Sequence, residues 1–243
     1  MTRAAGAVVL CCALAVACGG AVSATQPAGP DSDLWKKLTD IDARAGRIQS
    51  LQARFEQQKF TALLNTPLVS TGSVRIRGAR IRWDTEQPEK TVLLIDQQEA
   101  KLFYPAQRTL EVYPLDQRLG ELAASPLPRL DVLKKRFSFQ ELPVKEMLGK
   151  AEEGRFIALS LSPTDPSLRQ HVQQVRVLLD FPAAYIVKAE ITDSDGDRTL
   201  LSFSNVQINA NVGDLNLTVP SGTAVSHPLE GLDGSQKPQS PSK

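Results

Sequence analysis

The sequence predicts a mainly β protein with a few helices (α+β): an open, incomplete antiparallel β-barrel of about eleven strands under a helical lid. Three observations carry this. Between Leu51 and Val219 short segments repeatedly alternate apolar and polar residues, the pattern of half-buried strands. Helical spacing appears only near the N-terminus and within residues 116–137. Some strand segments, such as Val92-Leu93-Leu94-Ile95, are apolar on both faces. Three short helices cover only part of one face of such a sheet. The remaining apolar face must close on itself or hold something else, which is the reason to expect a hydrophobic cavity.

Residues 1–24 read as a secretory signal. Arg3 gives the basic start, and an unbroken run of small and apolar residues follows to Ala17. That run is shorter than the roughly 20 residues a membrane-spanning helix needs. Two cleavage sites compete. Val22-Ser23-Ala24 favours cleavage before Thr25, whereas Ala15-Val16-Ala17-Cys18 resembles a lipobox and makes Cys18 a candidate lipidation site. Export to the periplasm is expected either way, with a lipid anchor if Cys18 is used. All three cysteines (Cys11, Cys12 and Cys18) fall in this segment. The body is therefore expected to have no disulfide framework, thiolate metal site or cysteine nucleophile.

Residues 25–33 read as a flexible leader and 34–225 as the folded domain. Residues 226–243, rich in Pro, Ser, Gly and Lys, read as a disordered tail. Leu34, Leu38, Ile41, Ala45 and Ile48 form one stripe of an amphipathic helix behind the N-cap candidates of residues 31–33. Leu51, Ala53 and Phe55 begin the strands. Val74 and Ile76 alternate with Arg75 and Arg77, and Ile81 and Trp83 with Arg80 and Arg82, around a Gly78-Ala79 hairpin turn. Strands follow at 92–95, 102–104 and 110–113.

Residues 116–137 interrupt the sheet. Leu119, Leu122 and Ala123 suit one short helix, and Leu130, Leu133 and Phe137 a second, with Pro126 and Pro128 separating them. An insertion of this length suits a mobile lid. Strand patterns resume at 156–161, 172–181, 185–191, 200–203, 206–208 and 215–219. Candidate cavity walls are Phe55, Ile81, Trp83, Leu93, Phe103, Leu178 and Phe203.

Little in the sequence suggests catalysis, so no enzyme, metal or cofactor is expected. His171 and His227 have no metal-ligand spacing, and no nucleophile elbow or phosphate loop occurs. Asp193-Ser194-Asp195-Gly196-Asp197 starts like a calcium loop but lacks its closing Glu, and reads as a hairpin turn. Glu86, Glu89 and Asp96 read as solvated loop carboxylates. With 28 basic and 27 acidic residues, charge gives no reason to expect nucleic acid. Arg75, Arg77, Arg80 and Arg82 should share the face opposite the apolar one, as a solvated surface, a docking patch or a lid gate.

The order of these features resembles the LolA family of periplasmic lipoprotein carriers. The resembling pieces are Arg54-Phe55-Glu56-Gln57, Gly72, Trp83 with Pro88, residues 93–96, and Tyr104-Pro105. Phe156 with Pro163, and Leu215 with Pro220-Ser221-Gly222, continue the series. The resemblance implies an incomplete barrel with a helical lid, holding lipoprotein acyl chains between the inner and outer membranes. It implies two partners: an inner-membrane lipoprotein-release ABC transporter and an outer-membrane receptor. Arg77 is the nearest match to the family's lid-gating Arg, without that segment's Pro. A lipid-anchored receptor and a lipoprotein-binding sensor remain rivals on the same fold. A membrane-entering receptor is expected to carry an apolar rim loop, and residues 84–90, with three carboxylates and no apolar tip but Pro88, do not supply one.

Overall fold

The computed structural model describes residues 32–114, 125–152 and 154–228. The expected secretory signal, the expected Leu119–Ala123 helix and most of the expected tail lie outside those residues. Helix α1 (Ser32–Ala45) opens the fold, with Asp33 in its first turn and Arg44 in its last, each matched to the helix dipole. Strands β1 (Ser50–Phe60), β2 (Leu68–Arg77), β3 (Arg80–Gln87), β4 (Thr91–Ile95), β5 (Glu99–Tyr104) and β6 (Thr109–Pro114) follow as a meander. Short helix α2 (Leu130–Leu133) leads to β7 (Phe137–Leu142), α3 (Lys145–Leu148), β8 (Phe156–Pro163) and α4 (Pro166–Arg169). Then come β9 (Val172–Asp180), β10 (Tyr185–Asp193), β11 (Arg198–Ile208) and β12 (Ala224–Ser226).

The strands form one open sheet in the order β12-β6-β5-β4-β3-β2-β1-β11-β10-β9-β8-β7. Strand β1 is the seam, pairing β2 on one side and β11 on the other. The chain therefore runs from β1 out to β6, crosses to β7 at the opposite edge, and returns to the seam. The edge strands are thus β7 on one side and β12, beside β6, on the other. One apolar cluster draws on both meanders and on α1 and α2, so both halves of the sheet curve around a common core.

The open, mainly antiparallel sheet is the one expected, with twelve strands where about eleven were expected and only β12 pairing β6 in parallel. Some details need correction. Phe137 begins a strand instead of ending a helix, because its backbone pairs with β8 opposite Pro163 while its side chain still enters the main core. The two patterns at 200–203 and 206–208 belong to one strand, β11. Residues 215–219 form no strand. They cross the outer face without regular structure, with Leu217 and Val219 packed on Phe103, Leu110 and Val112.

Candidate functional site

Opposed residues on the concave face run in rows across the meander. Val74 faces Trp83, Trp83 faces Leu93, Leu93 faces Leu102, and Leu102 faces Glu111. The next row is Ile76, Ile81, Ile95, Ala100 and Tyr113. Phe55 on the seam opposes Phe203 on one side and Gly72 on the other. The Phe55 and Trp83 rings meet edge-on with centroids 4.8 Å apart, and Trp83 and Phe203 meet tilted at 5.9 Å. Such aromatic contacts add to the burial of large apolar area.

Gly72 makes this trio possible. A Cβ there would lie 2.1 Å from the Asp84 carbonyl oxygen and 2.7 Å from Cε1 of Phe55. The Gly that the motif requires is thus the hole into which the Phe55 ring fits.

Of the seven expected wall residues, Phe55, Ile81, Trp83 and Phe203 are buried in this core and Leu93 packs against it. Phe103 and Leu178 are not brought to it. Phe103 clusters with Leu110 and Val112, and Leu178 with Ala158 and Met147 under α3. Their chain neighbours explain this: Leu179 enters the main core, so Leu178 must point to the outer face, and Leu102 takes the row opposite Leu93, which leaves Phe103 the outer face.

Helices cover the concave face. Leu34, Leu38, Ile41 and Ala45 of α1 and Leu130 of α2 enter the core, with Leu127 and Leu133 against it. Few polar bonds hold the α2 segment: the Leu130 N–H donates to Asp42 Oδ1 at 3.3 Å and the Ile186 N–H to the Pro126 carbonyl at 2.6 Å.

The arginines lie on the outer face, and three of them hold the C-terminal strap of residues 209–223. Arg75 donates to the carbonyls of Val212 and Asp214, Arg82 to that of Asn216, and Arg80 to the Asn216 side chain. Arg75 and Arg82 also clamp Asp84, each at 2.8 Å. Burial pushes the Asp84 carboxyl up, but the hydrogen bonds and charges of Arg82 and Arg75 outweigh it and hold the group below its ordinary value. Arg77 is exposed at the hairpin end of β2.

The loop carboxylates are dispersed. Glu86 pairs bidentately with Arg54 at 2.6 and 2.8 Å, Glu89 accepts from Gln107, and Asp96 caps the β4–β5 turn. Asp193 accepts from the backbone N–H groups of Asp195 and Asp197 around Gly196, whose φ is +86°. It therefore works as a turn residue.

Two features escaped the sequence reading. The rim does carry an apolar tip, between β1 and β2 instead of β3 and β4. Leu63 is 93% exposed, and Leu64, Leu68 and Val69 beside it are exposed as well. The uncharged run Thr61-Ala62-Leu63-Leu64-Asn65-Thr66-Pro67 was its signal. The second is Glu111, whose Oε2 accepts from Tyr113 at 2.8 Å and Tyr104 at 3.3 Å. Burial first, then Glu111, pushes the Tyr104 hydroxyl up to about 12 and raises that of Tyr113 as well, so both phenols stay neutral donors. Glu111-Val112-Tyr113 alternation places the Glu on the Tyr113 face, and that was its signal.

Among the described residues no helix is long and apolar enough to cross a membrane. The fold defines a class: an open β-sheet curled around an apolar concave face and covered by helices. Residues 46–216 match the family model for the outer membrane lipoprotein carrier protein LolA, and the chain belongs to that family. It is 26% identical over 209 residues to an outer-membrane lipoprotein carrier protein of Pseudomonas putida (strain W619), spanning 85% of this chain and 92% of that protein. A protein of the same description from Pseudomonas syringae pv. syringae (strain B728a) is 27% identical over 203 residues, 82% of this chain and 90% of its own. The crystal structure of an uncharacterized conserved protein from Thermus thermophilus superposes with a TM-score of 0.51 at 10% identity. It covers 81% of this chain and 99% of that one, a likeness of fold alone.

Proposed function

We propose that this chain is a non-enzymatic carrier that shields the acyl chains of a lipoprotein on its concave face during transit through the periplasm. It would take cargo from an inner-membrane lipoprotein-release ABC transporter and pass it to an outer-membrane receptor. The observation behind this reading is the continuous apolar floor around Phe55, Trp83 and Phe203, covered by separate helical pieces rather than by a second sheet. Membership of a family described by lipoprotein carriage supports it. Keeping a dozen methylenes from water is worth roughly 10 kcal/mol at about 0.8 each. An apolar face that opens by moving α2 supplies that shelter without nucleophile, metal or cofactor. Fluorescent fatty-acid titration of the folded body tests the reading: saturable binding is expected, and its absence would reject a carrier.

A second reading has one observation in its favour. The Leu63 tip suits a receptor that touches a bilayer, anchored through Cys18. Burying a leucine is worth only about 1.5–3 kcal/mol, so one or two at a tip give transient contact and no anchor. A freely moving carrier therefore remains the preferred reading.

A further inference from the structure

The row Val74-Trp83-Leu93-Leu102 is apolar until its last member, Glu111, on β6. This is the strand that, with its short partner β12, borders the open side of the sheet. Trp83 and Glu111 are three strand steps apart, about 14 Å at roughly 4.8 Å each. A carboxylate on an apolar face is costly unless its oxygens are bonded. Here both phenols use the same oxygen, Oε2. The other oxygen, Oε1, has no hydrogen-bond donor among the described residues, and no described Lys or Arg forms a salt bridge with Glu111. Lys101, nearest in the register, alternates to the outer face and pairs with Glu99. The two phenols hold the carboxylate through Oε2 alone.

We propose that Glu111, oriented by Tyr104 and Tyr113, is a head-group site for an ammonium-bearing amphiphile whose alkyl chain lies along Leu102, Leu93 and Trp83. This rests on the acyl-binding reading above and adds the sign of the head group. A cationic N–H donor completes the Oε1 shell with a charge-assisted bond, whereas a carboxylate head at the same place meets a like charge.

The test is competition of three twelve-carbon ligands, dodecylammonium, dodecanoate and dodecanol, against a fluorescent fatty-acid probe on the full chain, below micelle-forming concentrations. Dodecylammonium is expected to bind about tenfold or more tighter than dodecanoate, the gain of one charge-assisted hydrogen bond. Glu111→Gln is expected to remove that preference and leave dodecanol binding unchanged. The Y104F/Y113F double variant, which keeps the charge, should retain a preference for the ammonium. Equal affinity of the wild-type protein for both charged ligands, with dodecanol bound, overturns the head-group site and leaves the carrier reading standing. An unchanged preference in E111Q overturns it too. If none of the three ligands nor the probe binds, both readings fall. Should E111Q fail to bind dodecanol, the wild-type ratio alone decides.

Discussion

Gly72 lies opposite Phe55 with no space for a side chain, since a Cβ would sit 2.7 Å from the ring. The backbone oxygen of Asp84 is nearer still, so ring rotation alone cannot relieve the contact. Gly72→Ala is therefore expected to destabilise the domain by about 1–3 kcal/mol, the usual cost of overpacking. Urea unfolding measures it, and an unchanged midpoint would contradict this packing.

The Arg75–Asp84–Arg82 clamp gives a pH prediction. The folded Asp84 carboxyl lies below its ordinary value of 3.8. A depressed carboxylate contributes stability that is full above the unfolded value and is lost as pH falls through the folded one. Stability attributable to Asp84 should therefore decline from about pH 4 downward. Asp84→Asn should lower stability near neutral pH and flatten that decline. Equal acid sensitivity of the two proteins in urea titrations would refute the assignment.

Alternation along the sequence identified β1, the Val74–Ile76 end of β2 and β3 because each carries one clearly apolar face. It failed where that information is absent. Leu102-Phe103 and Leu178-Leu179 are apolar on both sides, so only the register tells which member faces the core. Leu215, Leu217 and Val219 alternate because one side of the strap is covered, and coverage alone does not make a ladder. The spacing of Leu130, Leu133 and Phe137 fits a helix, yet the helix stops at Leu133 and pairing with β8 claims Phe137. The strap carbonyls that bind Arg75 and Arg82 lie some 134 to 139 positions away, beyond any local pattern.

The α2 segment should have to move for loading. Leu127 and Tyr185 flank the hydrogen bond from Ile186 to Pro126, and no cysteine follows Cys18 in the chain. Cysteines introduced at Leu127 and Tyr185 are expected to block probe uptake when oxidised and to restore it on reduction. Equal uptake in both states would show that this segment is no lid.

Leu63 decides between carrier and receptor. The loaded body, expressed from Thr25 without lipid, is expected to stay out of the floating fraction with liposomes and to keep its cargo. Efficient unaided transfer, abolished by Leu63→Asp, would favour the receptor.

In the carrier, acyl chains are expected to lie against Trp83. The chain has two tryptophans, Trp35 on α1 and Trp83 on the sheet, so Trp35→Phe leaves one reporter. Titrating that variant with a fatty acid brominated at mid-chain, beside its unbrominated parent, reads the contact directly. The carrier account predicts saturable quenching of Trp83 by the brominated chain alone. Binding of both ligands with unchanged Trp83 emission would place the acyl chain elsewhere and contradict it.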